Sequence, residues 1–514
     1  MRYDSVRISL VFSPSSAILC AHTGTAETTM FSHAKTKDDF AREVRRLIMS
    51  GSLRFGQKLP SLRELEMQTG LSRQTISICL QSIAGEGILK NESRRGYFAS
   101  YRQRTPDSHL HILMLPEGYG NDEGGVARSA TRIARELART CKVTVFTFDR
   151  NKVPGEKDWV GLDEEFCEEN LAVWRFGPSL KTRDRDVFDR MSEKFRATIL
   201  RRLFESMLSH PAVGDINLVF SMYLINSSLI GQHLANALGV RHVAGIRGND
   251  LSLGLFRDNR FGYLHWLAAV ADAIVPVNEY LERLFTRSFQ FAIPRVHKIP
   301  NAFPAIAFQD VDTTAARQKV LGITGWNDAD IIMCFPGRFR EKKGIVEGLE
   351  MLDTASRERL PVRLLIIGEI PRLEAKLFSS QIKALESRNT LRITGLQDHA
   401  TVLGLMPGCD AIFMPSRSDG MANGVLEGMA CGLPPIVSDI FRDVVDDECG
   451  FIGRSNEDFL AIMRSLTRDN CSLKGQKARE RARLRQSHDE AADYLELFKT
   501  VLAAEHRPEH CAVM

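Results

Sequence analysis

The pattern of apolar and polar positions predicts a set of short amphipathic helices, followed by two long stretches where buried strands alternate with helices. Phe40, Val44, Leu47 and Ile48 fall at helical spacing, and that run ends at Gly51. Ser61 and Glu64 form a capping-box pattern for a second helix, which stops at Gly70. Ser72 can cap a third helix that buries Ile76, Leu80 and Ile83, and ILKNESRRGYFASY reads as two short strands with a basic turn. Beyond the linker Thr105-Pro106-Asp107-Ser108 the period changes. LHILML and VTVFTF read as buried strands flanking a glycine-rich loop and a helix, and INLVF, HVAGI and AIVPV continue the series. Residues 181–210 predict an amphipathic helix with Phe188, Met191, Phe195, Leu200, Leu203 and Met207 on one side. Its polar side mixes Asp186, Asp189 and Glu193 with arginines, which favours a core-facing helix over a membrane-surface one. IIMCF, RLLIIG, LRITG and AIFMP supply a second strand series, and HDEAADYLELFKTVL closes the chain as an amphipathic helix.

A length of 514 residues suits about three domains, and 44% apolar with 26% charged residues is ordinary for a soluble globular chain. No apolar run reaches the roughly 18 residues that a membrane span needs. The opening residues are too interrupted for a signal peptide, and Met30 offers a second start that would leave residues 1–29 untranslated. The ten cysteines form no CxxC pair and there is no clustered histidine, so neither a disulfide framework nor a metal site is expected, and a cytoplasmic location is. The net charge of +4 is unevenly placed. Residues 35–105 hold 14 Lys/Arg against 7 Asp/Glu, whereas residues 106–514 hold 52 against 55. A nucleic-acid-binding segment would concentrate positive charge in this way.

Candidate chemistry concentrates in 411–434, AIFMPSRSDGMANGVLEGMACGLP. A buried strand ends at Pro415, a small polar loop follows, and Val425–Cys431 reads as a helix stopped by Gly432 and Pro434. Asp419 in the loop and Glu427 in the helix are separated by seven residues. Such a corner aims backbone N–H groups and a helix dipole at one point, which suits a phosphate, while the carboxylates suit sugar hydroxyls. Any doubly wound domain has corners of this shape. Upstream, Arg338 and Lys343 follow another strand and suit a diphosphate. In the first α/β stretch a dinucleotide fingerprint fails, because Glu123 occupies the third glycine position after Gly118 and Gly120. The acidic runs at 184–186 and 328–330 read as surface charge.

FGQKLPSLREL, LSRQTI, GEGIL and RRGYF, in that order, resemble the winged helix-turn-helix of the GntR family of bacterial transcription regulators. The resemblance implies that DNA is a partner through residues 35–105, with the helix after Ser72 in the major groove. Arg63, Ser72, Arg73 and Thr75 would contact phosphates and base edges, Arg73 being the candidate for guanine. The wing at Arg95 and Gly96 would touch the minor groove. The competing reading is a basic domain used for protein contacts. Homodimerisation is expected by analogy with regulators that bind two half-sites.

The remainder resembles the retaining glycosyltransferases of the GT-B fold, specifically family 4, the group 1 transferases. The resemblance rests on GG at 124–125, RGND at 247–250, VNEYLERLF, KIPNAF, PGRFREKKG, ITGLQDHATVLGLMPGCDAIFMPSRSDG and LEGMACGLP. The expected fold class is therefore α/β, two Rossmann-like domains facing a cleft, preceded by the winged helix. The expected domains are an extension at 1–34, the winged helix at 35–105, an acceptor-side domain at 106–305 and a donor domain at 306–514. The family implies a nucleotide-diphospho-sugar donor, an acceptor it does not specify, no cofactor and no metal. By the same resemblance Arg338 and Lys343 neutralise the diphosphate, Asp419 meets the donor sugar and Glu427 the ribose. Backbone N–H groups of Gly420, Met421 and Ala422 approach the donor, and Gly124 and Gly125 close over its diphosphate. Two positions depart from the family pattern. Asp419 stands where a glutamate is usual, and Arg247 where many members have a histidine, which leaves Arg247 an electrostatic role toward phosphate or an anionic acceptor. The leading expectation is a DNA-binding regulator fused to an active transferase. The alternatives are a regulator whose lapsed transferase module senses a nucleotide-sugar, and an enzyme whose winged helix serves protein contacts.

Overall fold

The computed structural model describes residues 31, 33–49, 53, 57–85, 89–92, 95–99, 110–121, 124–148, 160–177, 193–304, 307 and 312–504. The expected linker at 105–108, the acidic run at 184–186 and the start of the helix expected over 181–210 lie outside these residues. Two compact units divide the chain near residue 100.

In the first unit, helices Lys37–Met49, Leu62–Thr69 and Arg73–Gly85 precede two antiparallel strands, β1 (Leu89–Glu92) and β2 (Gly96–Ala99). The apolar periodicity finds its core, since Phe40, Val44, Ile48, Leu65, Ile76, Leu80 and Ile83 are all buried. The capping box forms in full. Glu64 N donates to Ser61 Oγ at 3.3 Å, and Ser61 N donates to the Glu64 carboxylate at 2.7 Å. Part of RFGQKLP joins the wing. Leu59 N donates to Tyr97 O and Ala99 N to Gln57 O, both at 2.9 Å.

The second unit holds two sheets. The first comprises β3 (His111–Leu115), β4 (Lys142–Phe148), β5 (Val160–Leu162), β6 (Leu171–Phe176), β7 (Leu218–Ser221), β8 (Arg241–Ile246) and β9 (Ala273–Pro276). Their order is β5-β6-β4-β3-β7-β8-β9, parallel except for the β5–β6 pair. The second comprises β10 (Ile331–Arg338), β11 (Val362–Glu369), β12 (Leu391–Ile393), β13 (Ala411–Met414), β14 (Pro435–Ser438) and β15 (Phe451–Gly453). It is wholly parallel in the order β12-β11-β10-β13-β14-β15. Helices cover both faces of a parallel sheet, which is why these strands read as unbroken apolar runs. The strand order reverses beside β3 in one sheet and between β10 and β13 in the other. Loops diverge at such switch points and leave a crevice beyond the carboxyl ends of the strands.

The structure departs from the sequence-based expectations at two places, the final helix and Arg338. The final helix, Ser487–Ala503, expected with the second strand series, packs on the first sheet. Its apolar side carries Tyr494 and Phe498, whose rings lie 4.9 and 5.4 Å from that of Phe220. Of the helix expected over 181–210, the described part, Glu193–Leu208, is helical and buries Ile199, Leu203 and Met207. Arg338, expected on a loop, is the last residue of β10, in register with Glu369 on β11.

Candidate functional site

β13 ends at Met414, and the loop after it is held from several sides. Arg417 N and Ser418 N donate to Lys342 O at 3.1 and 3.3 Å, and Arg417 pairs with Glu347. Ser438 Oγ donates to Ser416 O at 2.5 Å. From the first sheet's side, Ser418 Oγ donates to Ser252 Oγ at 3.0 Å, and Asn278 Nδ2 donates to Gly420 O at 3.1 Å. Backbones meet directly here. A Cβ on Gly420 would stand 2.0 Å from Arg247 O, and one on Gly248, at φ +135°, 2.9 Å from Gly420 N. Only glycine permits such an approach.

Asp419 is 7% exposed and sits between two lysines. Lys343 Nζ is 2.9 Å from its Oδ2, Lys342 Nζ is 3.2 Å from Oδ1, and Gly420 N donates to Oδ1 at 3.0 Å. Burial alone would raise the Asp419 carboxyl. The charges of Lys343 and Lys342 outweigh it and hold the pKa down at about 2. Burial presses Lys342 below the usual lysine range, against the pull of Asp419. The sequence pattern does not single out Lys342, although EKKG offers both lysines. Arg338 lies at the neighbouring strand end, where its Nε donates to Glu369 Oε1 at 2.7 Å.

The helix after the loop runs Asn423–Ala430, two residues earlier than the sequence suggests, and buries Glu427. Glu427 Oε1 lies 3.0 Å from His399 Nε2 and 3.4 Å from Arg128 Nη2. Neither partner carries a local signal in the sequence. His399 opens the helix His399–Leu405, whose cap Asp398 accepts from Thr401 N at 2.8 Å. Arg128 belongs to the helix Gly125–Ala138 on the first sheet. Its position is legible only as one turn beyond the glycine pair. Gly124, at φ +107°, precedes this helix, and Gly125 O accepts from Asn423 Nδ2 at 3.0 Å. A Cβ on Gly125 would press on that same nitrogen at 3.0 Å. Gly124 and Gly125 therefore face the start of the Glu427 helix. Met421 and Ala422 are buried at the foot of the loop.

Arg247 is engaged within the protein. Its guanidinium is buried and donates to Asn301 Oδ1 at 2.8 Å and Tyr494 Oη at 3.0 Å. The reason is the final helix, whose place on the first sheet brings Tyr494 within reach. The same helix supplies Glu490, fully buried, which accepts from Arg132 Nη2 at 2.7 Å and Ala302 N at 3.0 Å.

In the first unit, Arg63, Ser72, Arg73 and Thr75 lie at the starts of the second and third helices, and Arg95 and Gly96 at the wing. Thr75 N donates to Ser72 Oγ at 3.2 Å. Arg73 Nε pairs with Glu66 at 2.6 Å and Arg95 Nη1 with Glu92 at 2.6 Å, both arginines remaining well exposed. Exposed pairs of this kind are weak, so the guanidinium groups stay available to a stronger anion. Gly96, at φ +107°, sets the wing's turn. Among the described residues no helix is long and apolar enough to cross a membrane.

Comparison with known proteins agrees with this division. Residues 36–98 match the family model for bacterial regulatory proteins of the gntR family, residues 123–305 that for glycosyltransferase family 4, and residues 317–485 that for glycosyl transferases group 1. A putative L-lactate dehydrogenase operon regulatory protein of Escherichia coli is 37% identical over 71 residues, 14% of this chain and 28% of that protein. An alpha-D-kanosaminyltransferase of Streptomyces kanamyceticus is 24% identical over 170 residues, 33% of this chain and 43% of that protein. The matched segments thus span under half the length of these relatives. Among solved structures, an Anabaena protein in complex with UDP and glucose covers 76% of this chain and all of its own at 14% identity and a TM-score of 0.58. A sucrose-phosphate synthase from Thermosynechococcus elongatus covers 77% of this chain and all of its own at 18% identity and a TM-score of 0.60. The two sheets have the GT-B fold.

Proposed function

We propose that this chain, a GntR-type winged-helix domain joined to a GT-B glycosyltransferase module, binds DNA through residues 35–105 and transfers a hexose from a nucleotide-diphospho-sugar. The observation that carries the transferase half is the Asp419–Lys342–Lys343 cluster at the second sheet's switch point, together with the bond from Asn423, at the start of the Glu427 helix, to Gly125 O. In this reading the bond between the anomeric carbon and the terminal phosphate oxygen breaks, the acceptor hydroxyl's oxygen takes the carbon, and the hydroxyl's proton passes to the departing phosphate oxygen. Negative charge grows on the departing diphosphate, and Arg338 and Lys343 stabilise it more strongly in the transition state than in the ground state. Asp419 accepts hydrogen bonds from the sugar and Glu427 from the ribose, while N–H groups of Gly420, Met421 and Ala422 line the approach. The family resemblance favours retention at the anomeric carbon and a reaction without a metal. A cytoplasmic location and a homodimer on two half-sites accompany the DNA-binding half of the proposal.

One observation favours the sensing alternative. Arg247 is tied to Asn301 and Tyr494, and both lysines are engaged by Asp419. A panel of UDP-, GDP- and ADP-sugars, assayed for nucleotide release with unmodified protein and with Glu427→Ala, separates the readings. The enzyme reading expects turnover that the substitution abolishes. Binding without turnover in the unmodified protein would replace it with the sensor.

A further inference from the structure

The pair Arg128–Glu427 does not look like a finished ion pair. Charge-assisted bonds between arginine and a carboxylate usually close to about 2.7–2.9 Å, whereas Arg128 Nη2 stands 3.4 Å from Glu427 Oε1 and makes no hydrogen bond there. The Arg128 Nε is buried and donates to nothing. Glu427, only 3% exposed, has its closer contact with His399 Nε2 at 3.0 Å, on the same oxygen. Arg128 is therefore a half-exposed cation whose donors are largely unspent, held by a carboxylate that already has another partner. It lies one helical turn beyond Gly124–Gly125, on the side of the first sheet facing the Glu427 helix. The buried Asn423 Oδ1, beside that turn, is likewise without a partner.

We propose that Arg128 is an exchange cation of the donor site, holding Glu427 while the site is empty and passing to the donor's diphosphate when the ribose hydroxyls take Glu427. The inference rests on the reading of Glu427 as the ribose carboxylate. Its physical basis is that a buried carboxylate needs compensation before the ligand arrives, and a diphosphate offers a guanidinium denser charge and a bidentate partner. Glu427 loses no compensation in the exchange, because two hydroxyl donors replace one long ion pair while His399 stays in place. The contact between the two sheets is then made through the ligand, so donor occupancy and the closeness of the two halves are coupled by this one side chain.

The test compares a nucleoside with its diphosphate. Full-length protein is titrated calorimetrically with UDP, GDP and ADP, and then with the nucleoside of whichever binds. Arg128→Gln is expected to weaken diphosphate binding about tenfold or more, and to leave nucleoside binding unchanged or up to about threefold tighter, because Glu427 is released. Arg128→Lys, which keeps the charge, is expected to retain most of the diphosphate affinity. Equal weakening of both ligands by Arg128→Gln would mean that Arg128 only positions the helix, and would overturn the proposal, as would no change in either. If the unmodified protein bound none of the three diphosphates, the donor-site reading itself would fall, and this proposal with it.

Discussion

Lys343 Nζ lies 2.9 Å from Asp419 Oδ2, so the cation expected at a diphosphate and the carboxylate expected at a sugar neutralise each other. With Lys342 on the other oxygen, the Asp419 carboxylate has a cation on both sides and is buried. Breaking one member out of such a group leaves uncompensated buried charge, which typically costs about 3–5 kcal/mol. Asp419→Asn should therefore lower the urea midpoint of the GT-B module as well as activity.

The same pair has a pH signature. The folded carboxyl sits at about 2 against an ordinary value of 3.8. Between these values the unfolded chain binds a proton that the folded one does not, so stability rises with pH across the window. The contribution, roughly 2 kcal/mol, is fully present above about pH 4 and disappears as pH falls through the folded value. Urea titrations at about pH 6 and about pH 3 should show the gap between unmodified protein and Asp419→Asn narrowing by about 1 kcal/mol at the lower pH. A gap of equal size at both would mean that the lysines do not hold the carboxyl down.

Gly420→Ala tests the close approach of the two halves. The added methyl would meet Arg247 O at 2.0 Å, and that atom is backbone that cannot swing aside. Overpacking of this kind costs about 1–3 kcal/mol or pushes the loop away. The expected result is a thermal midpoint lower by several degrees and donor-dependent turnover reduced by about tenfold or more. Unchanged turnover would show that the 247–248 and 419–420 loops need not touch during reaction.

Most of the fold and half of the site are legible in the sequence, for identifiable reasons. Buried parallel strands announce themselves as apolar runs, and the Ser61–Glu64 box and Gly70 are local signals read within one turn of chain. Arg128, His399 and Lys342 escape such reading because their roles come from contacts across the fold, and each is an ordinary surface type with no local mark. Tyr494 shows the same limit. Its amphipathic helix is evident, but an apolar face does not say which sheet will receive it, and that choice gives Arg247 the Tyr494 hydroxyl as a partner.

Arg73 should carry base preference. It opens the exposed end of the third helix, where it pairs with Glu66 at the surface. Losing a bidentate guanine contact costs about 1–3 kcal/mol and relaxes the preference at that base pair. Selection of bound sequences from a random pool, with unmodified protein and Arg73→Ala, should show one guanine position lost from the consensus. An unchanged consensus and affinity would favour a protein-contact role for this domain.

Arg247 is braced by Asn301 and Tyr494, and Tyr494→Phe tests whether it serves as a strut or as a donor contact. The phenol accepts from Arg247 Nη2 at 3.0 Å and the Arg247 Nε is buried without a partner, so without the phenol the guanidinium keeps its bond to Asn301 while Nη2 loses its acceptor. Burial pushes the Tyr494 phenol upward, which keeps it protonated and the contact intact through neutral and mildly alkaline pH. Removing the hydroxyl leaves a buried charged donor unpaired, at a cost of about 1–3 kcal/mol, while the ring and its packing on Phe220 remain. As a strut, Arg247 should pass that cost to the thermal midpoint and leave the donor KM within about twofold, since nothing at Asp419 or Glu427 has changed. As a donor ligand, a loosened Arg247 would shift KM about tenfold at nearly constant midpoint. The second outcome would restore the electrostatic role that the sequence suggests and weaken the sensing alternative, which draws on Arg247 being tied away from the donor.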